Sequence, residues 1–373
     1  MLIKFEYNTT SPLLEAYLKG DFDQFNNLVN SGENINFIKK DGNSLICIII
    51  INGNKIDEKE NKKFFDLLLE SGVHLDKVEN YVSPLICSML KNDDIYYMQQ
   101  LLKNNVEINY ELFRNGYGDF HYKYPPIFSA VKCCPMDKIE LLLEYNPDLT
   151  IKDGRMSSVL HELIEADNKN WEALFLMFLS KGADPNALNL EQDSVLHKIS
   201  YGNIKWQNDY KKLFSILLDN NANIEIKNKS GCTPLHNACK GGNLTIFDIL
   251  IKLGASITET NNDNSTCAML AAEYKRYAIL DALEQKGVDF SVQDEFDENV
   301  CHKLARTNGQ SERKISILKK HYKLLLVKNI ANNTPLDIVK ISNVPLYNEL
   351  REFVEKKEKS NLTSNENLNV SQR

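Results

Sequence analysis

The sequence predicts an all-α solenoid, a row of about ten helix–loop–helix repeats joined by extended turns. Three observations lead to this fold: a pattern recurs at intervals near 33 residues, an apolar helix in most intervals ends at Gly or Asn, and Pro opens several helices. A fixed period of this size indicates stacked supersecondary units rather than one globular core. Function is therefore sought on a surface.

The clearest repeat opens at Thr233-Pro234-Leu235-His236 and closes at Gly254-Ala255. The position of His236 recurs along the chain in steps of 33, 39, 42, 33, 36, 39, 33, 33 and 35 residues. Its equivalents are Leu14, Cys47, Ile86, Phe128, His161, His197, His236, Met269, His302 and Asp337. Steps this close to one period indicate that the repeats share one register.

Two further landmarks fix the elements of each repeat. A proline two residues before the recurring position fits the first turn of a helix, where its missing N–H is not needed. These prolines are Pro12, Pro84, Pro126, Pro234 and Pro335. Gly and Asn enter the left-handed conformation that ends a helix. They close the second helices at Gly32, Gly72, Asn105, Asn146, Gly182, Asn221, Gly254 and Gly287.

The landmarks divide the chain into an array over residues 1–357 and a short tail. We expect repeats to start near residues 10, 43, 82, 124, 157, 193, 232, 265, 298 and 333. The first and last repeats should act as end caps with a polar outer face. Residues 358–373 contain almost no apolar side chains, so we expect a disordered polar tail.

The residues Thr233-Pro234-Leu235-His236 and Gly254-Ala255, with their 33-residue period, resemble the ankyrin repeat. The likeness spans about residues 8–357 and weakens in the first three repeats, where Ser44-Leu45-Ile46-Cys47 replaces the motif. It implies an all-α solenoid of paired antiparallel helices with β-hairpin fingers at one end, and a concave face made of fingertips and first helices. It also implies that four histidines bond to backbone rather than act in catalysis. They are His161, His197, His236 and His302.

Composition limits the kind of protein. A net charge of −7 argues against a nucleic-acid-binding surface. The longest apolar run, Leu45 to Ile51, is far shorter than the roughly 20 residues that span a bilayer. Eight cysteines without paired spacing favour reduced thiols, hence a cytoplasmic protein or one secreted into a host cytosol.

No motif for catalysis stands out. Cys232, His236 and Cys239 are close in sequence but lack a fourth metal ligand. There is no Gly-rich phosphate loop, and no nucleophile has a base at a recognisable spacing. We therefore expect no enzyme activity, catalytic residue, cofactor or metal. The expected function is a monomeric, non-catalytic scaffold that binds protein partners.

The largest irregularity of the period is a long finger. Asn105 lies 23 residues before Phe128, whereas six of the eight equivalent spacings are 15 residues. The resulting finger at 109–124 contains six aromatic side chains, a composition typical of binding hot spots. Alternatively, these rings fold back on neighbouring fingers. They are Tyr110, Phe113, Tyr117, Phe120, Tyr122 and Tyr124.

Extra residues also separate the two helices of repeats five and six, and each insertion carries a tryptophan. Trp171 and Trp206 stand at matching places in adjacent repeats. They either stack on each other or form a second binding patch.

The ankyrin resemblance places a further set of residues on the concave face. Exposed aromatic side chains there would favour a protein partner, and Tyr201, Tyr274 and Phe296 are the candidates. The full set is Leu190, Glu191, Tyr201, Lys229, Ser230, Lys240, Asn262, Asp263, Glu273, Tyr274, Glu295, Phe296 and Arg306.

The ninth repeat is locally basic and provides an alternative function. Between residues 303 and 328, eight basic side chains accompany one acid, Glu312. This is either a solvated outer helix or a site for an acidic peptide, an anionic ligand or a membrane surface, with peripheral membrane contact. The basic residues are Lys303, Arg306, Arg313, Lys314, Lys319, Lys320, Lys323 and Lys328.

The composition of the whole array suggests a biological setting. Degenerate ankyrin arrays rich in Lys and Asn, with a short polar tail, resemble secreted effectors of intracellular bacteria. Ankyrin proteins of amoebae and large viruses share that composition, so both origins stay open.

Overall fold

The computed structural model describes residues 7–8, 11–39, 42–52, 56–76, 83–90, 95–109, 125–166, 168–202, 209–309 and 311–370. Over these residues the chain forms twenty α-helices in ten consecutive pairs, so the expected all-α repeat architecture is confirmed. The chain divides into two compact units, Met1–Asp184 and Pro185–Arg373.

The first unit contains five helix pairs and two short strands. The first helices of its repeats are α1 (Pro12–Lys19), α3 (Leu45–Asn52), α5 (Pro84–Leu90), α7 (Pro126–Cys133) and α9 (Val159–Glu165). The second helices are α2 (Phe22–Asn30), α4 (Glu58–Glu70), α6 (Tyr96–Lys103), α8 (Met136–Glu144) and α10 (Trp171–Ser180). Strands β1 (Tyr7–Asn8) and β2 (Ile38–Lys39) pair in parallel.

The second unit repeats the same pairing. Its first helices are α11 (Val195–Ser200), α13 (Pro234–Gly241), α15 (Cys267–Glu273), α17 (Val300–Arg306) and α19 (Pro335–Ser342). Its second helices are α12 (Tyr210–Asp219), α14 (Leu244–Lys252), α16 (Tyr277–Gln285), α18 (Glu312–Lys320) and α20 (Val344–Val370), with a 3₁₀ turn over Tyr322–Leu326.

Eight of the ten second helices described end as the sequence predicts. The residue after the last turn has a left-handed φ at all eight predicted caps, for example 67° at Asn221 and 95° at Gly254. In this conformation the cap N–H groups return to carbonyls of the last turn, as Asn221 N–H does to Leu218.

The recurring histidines hold the starts of the first helices. The Ser194 N–H donates to His197 Nδ1 at 3.1 Å, and His197 Nε2 donates to the Cys232 carbonyl of the next repeat at 2.8 Å. His302 bonds in the same way to Asn299 N–H and to the Asn333 carbonyl. The expected backbone bonds are confirmed at all four histidines, since His161 and His236 accept from the N–H groups of Ser158 and Thr233. The bonds of His197 and His302 also join neighbouring repeats.

A buried polar link joins the first three repeats at the centre of the first unit. The Tyr17 hydroxyl donates to Asn61 Oδ1 at 2.8 Å, and Asn61 Nδ2 bonds the Tyr97 hydroxyl at 2.6 Å. Asn61 Nδ2 also reaches the Ile49 carbonyl at 3.0 Å. All donors of this buried amide are thus satisfied, as burial requires.

Fingers in both units are tight turns built on an Asp or Asn. In one of them, Asn228 Oδ1 accepts from the N–H groups of Ser230 and Cys232, both at 3.0 Å. One backbone bond, from Asn228 N–H to the Cys232 carbonyl at 3.0 Å, closes the hairpin. The side chain thus replaces most of the strand pairing. The residues in this role are Asp153, Asn189, Asn228, Asn261, Asp294 and Asn329.

The C-terminal repeat differs from the expectation in two ways. Helix α20 continues through residue 358 to Val370, where a disordered tail was expected. The stretch contains neither Gly nor Pro, so nothing in it stops a helix that is anchored by buried Leu346, Leu350 and Val354. In addition, the last repeat exposes a large apolar side chain, because Ile341 is 87% exposed.

The buried histidines make stability depend on pH. Burial lowers the pKa of His236 to about 4. In the unfolded chain a histidine titrates near 6.5, so the unfolded state binds a proton that the native state excludes as pH falls. Native stability is therefore complete above about pH 6.5 and decreases below it. Between about pH 7 and pH 5, His236 alone should remove about 2 kcal/mol.

We expect His236→Met, which copies Met269 at the same position of the next repeat, to reduce this pH dependence by about 2 kcal/mol. The measurement is the free energy of unfolding in urea at the two pH values, followed by circular dichroism. An equal pH dependence in both proteins would contradict the assignment.

Candidate protein-interaction surface

Part of the predicted surface lies outside the described residues. This applies to Trp206 and to the aromatic finger residues Tyr110, Phe113, Tyr117, Phe120, Tyr122 and Tyr124. Trp171 is described and half-buried at the start of α10, where its ring meets Phe175 edge-on at 6.5 Å. Trp171 therefore packs along its own helix, and the finger stays a prediction.

Neighbouring fingers of the second unit are joined by a ladder of backbone hydrogen bonds. In each step, an N–H of one fingertip donates to a carbonyl of the preceding fingertip. Gly231 permits one close approach, because a Cβ there would lie 2.7 Å from the backbone nitrogen of Asn262. The steps are Lys229 to Glu191 (3.2 Å), Asn262 to Ser230 (3.0 Å), Glu295 to Asp263 (3.0 Å) and Ile330 to Phe296 (3.1 Å).

The ladder presents large apolar side chains to solvent. Leu190 is 62% exposed, Phe296 44% and Ile330 64%. We call the ladder residues together with Leu190 the fingertip face. Exposed apolar groups on a rigid backbone are typical of surfaces that bind other proteins.

The ends of the first helices lie beside this face in the repeat register. Tyr201 is exposed at the end of α11. Lys240 Nζ lies 5.0 Å from the ring centre of Tyr274, a distance at which a cation and an aromatic ring attract each other. Lys240 and Tyr274 therefore interact with each other, while the side chain of Tyr201 is exposed to solvent.

Arg306, predicted as a cation of the same surface, belongs to a buried charge cluster. It bonds to Glu298, as do Lys303 Nζ at 3.2 Å and Asn329 Nδ2 at 3.0 Å. Lys303 also pairs with Asp294 at 2.6 Å. Burial alone would raise the pKa of Glu298, but the bonds from Arg306, Asn329 and Lys303 bring that pKa down to about 2.

Most basic side chains of the ninth repeat bond to a carboxylate or a carbonyl. This corrects the excess of positive charge that the sequence of the repeat alone predicts. Besides Lys303 and Arg306, the buried Lys314 donates to the Thr307 carbonyl at 2.6 Å. The other pairs are Arg313 with Asp281 (3.4 Å), Lys319 with Glu349 (2.6 Å) and Lys320 with Glu284 (2.9 Å). These acids lie on α16 and α20, so a count within residues 303–328 missed them.

Two apolar residues of the surface were missing from the sequence prediction. Ile330 occupies the fingertip position of Leu190 and Lys229, and Ile341 occupies the helix-end position of Tyr201 and Lys240. The register that placed the other residues would have found both, had it been extended to the last repeat.

Over the described ranges, no three His, Cys, Asp or Glu side chains are grouped so that they could hold a metal ion. None of the helices described is both long and apolar enough to cross a membrane.

Comparison with known proteins gives a consistent pattern. Residues 160–261 and 203–294 match the family model of ankyrin repeats in three copies. An ankyrin repeat and KH domain-containing protein of Caenorhabditis briggsae is 30% identical over 136 residues, covering 36% of this chain and 5% of that protein. A putative ankyrin repeat protein of fowlpox virus is 28% identical over 179 residues, covering 46% and 88%.

A third relative is a probable serine/threonine-protein kinase of Dictyostelium discoideum. It is 28% identical over 207 residues, covering 53% of this chain and 23% of that protein. The chain thus matches only a small part of the nematode and Dictyostelium relatives.

Loss of the central carboxylate should destabilise the ninth repeat. In Glu298→Gln, Lys303 and Arg306 lose a charged partner in a largely buried setting. We expect a loss of roughly 2 kcal/mol, less than for a fully buried pair because the Arg306 side chain is 57% exposed.

Urea unfolding at neutral pH measures this loss, with Glu312→Gln as the control because Glu312 is an exposed acid of the same repeat. The control should stay within about 0.5 kcal/mol of the unmodified protein. Equal effects of the two substitutions would show that the charge cluster adds nothing to the free energy of unfolding.

Proposed function

Because the chain is an ankyrin repeat protein, with repeats matched over residues 160–294, we propose that it is a non-catalytic scaffold for a protein partner. Ankyrin repeats in general mediate protein–protein interactions. The partner binds the fingertip face of the second unit. The observation that carries this proposal is the exposure of Leu190, Phe296 and Ile330 on hydrogen-bonded fingers.

The geometry of the fingers favours binding. Each tip is held twice, by the side-chain turn within the finger and by the backbone bond to its neighbour. A surface that is ordered before binding avoids most of the entropy cost of ordering at the interface. Tyr201 and the pair of Lys240 with Tyr274 extend the face along the first helices.

Catalysis is not part of the proposal. Ankyrin repeats are typically non-enzymatic, and we propose the same for this chain. The kinase activity in the name of the Dictyostelium relative belongs to that protein, of which the match covers 23%.

Recognition of an anionic ligand or membrane surface by the ninth repeat is a weaker alternative. Six of its eight basic side chains are already bonded to carboxylates or to a carbonyl. An incoming anion would have to compete with these partners.

The remaining parts of the proposal rest on the sequence alone. We propose that the aromatic finger at 109–124 is a second contact, that the protein acts as a monomer, and that it works in a cytosol, its own or that of a host. The effector role rests on composition, and the relatives named above do not bear on it. A translocation assay on a chain lacking residues 355–373 tests that role.

The main proposal is tested by capture of partners on the immobilised full-length chain. We expect Phe296→Ala with Ile330→Ala to lower the affinity for the main captured partner at least about tenfold, because a few buried anchor side chains carry most of the binding energy of an interface. The affinity of that partner, once identified, is measured by calorimetry.

The matched control is Leu176→Ala with Leu244→Ala, which removes two exposed apolar side chains from second helices. Unchanged affinity in the fingertip variant, or an equal loss in the control, would rule out the fingertip face. Ala at Tyr117, Phe120 and Tyr122, tested in parallel, reports on the aromatic finger.

A further inference from the structure

The backbone ladder brings fingertip residues of adjacent repeats together in pairs, and the chemistry of these pairs changes along the second unit. The first pair has opposite charges, the second is neutral and polar, the third has two negative charges, and the fourth is apolar. In order they are Glu191 with Lys229, Ser230 with Asn262, Asp263 with Glu295, and Phe296 with Ile330.

The third pair is unfavourable in the isolated protein. A backbone bond of 3.0 Å holds Asp263 and Glu295 next to each other, and both side chains are exposed. Like charges directly opposed across neighbouring strands repel. Throughout the part of the chain that the structure describes, no Lys or Arg forms an ion pair with either. Asp297, also exposed on the ninth finger, adds a third carboxylate.

The neighbouring pair supplies a different attraction. Phe296 and Ile330 are joined by a backbone bond of 3.1 Å, and both expose much of their apolar surface. Phe296 follows Glu295 directly in sequence. The acidic pair and the apolar pair therefore lie side by side on the fingertip face.

We propose that the fingertips of repeats eight to ten bind an extended segment of the partner that carries a Lys or Arg and an apolar residue. The cation lies against Asp263 and Glu295, and the apolar side chain lies on Phe296 and Ile330. This inference rests on the proposed binding function and names the chemistry of the partner.

The spacing of the two partner residues follows from the geometry. Neighbouring repeats are about 8–10 Å apart because their helices pack at that distance. A segment in the extended polyproline II conformation rises about 3.1 Å per residue with three residues per turn, so residues three positions apart lie on the same side. The basic and apolar residues of the partner segment are therefore about three positions apart.

The test begins with a phage library of random dodecapeptides selected on the full-length chain. We expect enriched peptides to combine a Lys or Arg with an apolar residue about three positions away. A synthetic copy of the most enriched peptide, labelled with fluorescein, then gives the affinity by fluorescence anisotropy. Absence of enrichment, or enrichment of peptides without positive charge, would overturn the inference.

Glu295→Lys is the decisive variant. It converts the like-charged pair into one of opposite charge, as in Glu191 with Lys229, so the fold should keep or gain thermal stability. Peptide affinity should nevertheless fall at least about tenfold, because a cation now occupies the site of the ligand's cation. Phe296→Ala should lower the affinity as well.

Asp219→Lys is the matched control, since it makes the same change of charge at an exposed position at the end of α12. Its affinity should stay within about twofold of the unmodified protein. An equal loss in this control would show nonspecific attraction and overturn the inference. If the natural partner is lost from Phe296→Ala with Ile330→Ala but kept by Glu295→Lys, only this inference fails. If both variants keep it, the proposed function fails.

Discussion

Among the described residues, hydrogen bonds between neighbouring repeats satisfy polar groups that a single repeat would leave without a partner, and these bonds help to hold each unit together. His197 reaches the carbonyl of Cys232, Asn237 returns to the carbonyl of His197, and Arg276 bonds the carbonyl of Lys240. Each bond joins one repeat to the next. If the next repeat were absent, a buried donor would have given up its hydrogen bonds to water without gaining a partner in the protein. Stacking of the repeats is therefore required and not merely favourable.

The same dependence governs charge. The ninth repeat looks strongly basic along the chain, yet Arg313 and Lys320 find their acids on α16 of the eighth repeat, and Lys319 finds Glu349 on α20 of the tenth. In a solenoid, residues that meet in space are about one period apart in sequence. Charge balance is therefore a property of adjacent repeats, and a local excess of one sign says little about the surface field.

Much of the fold was predictable because the repeat fixes backbone positions. The first helices begin two residues after the predicted repeat starts, as at Pro234 and Val300, and the left-handed caps fall on the predicted Gly and Asn residues. Side-chain partners were less predictable. The bonds of Glu298 to Arg306 and Asn329 depend on rotamers and on the neighbouring finger, which periodicity does not specify. The part of helix α20 after residue 357 was not predicted, because that stretch contains few apolar residues.

In each finger, different residues shape the turn and present side chains to solvent. Asn228 or Asp294 and the residue three positions later shape the turn, while the two positions between them, such as Glu295 and Phe296, project outward. Replacements at those two positions leave the turn intact. Under the proposed binding function, selection could therefore change the specificity of the array one fingertip at a time, at little cost to folding. Arrays of this design should diverge fastest at the residues that matter most for their partners.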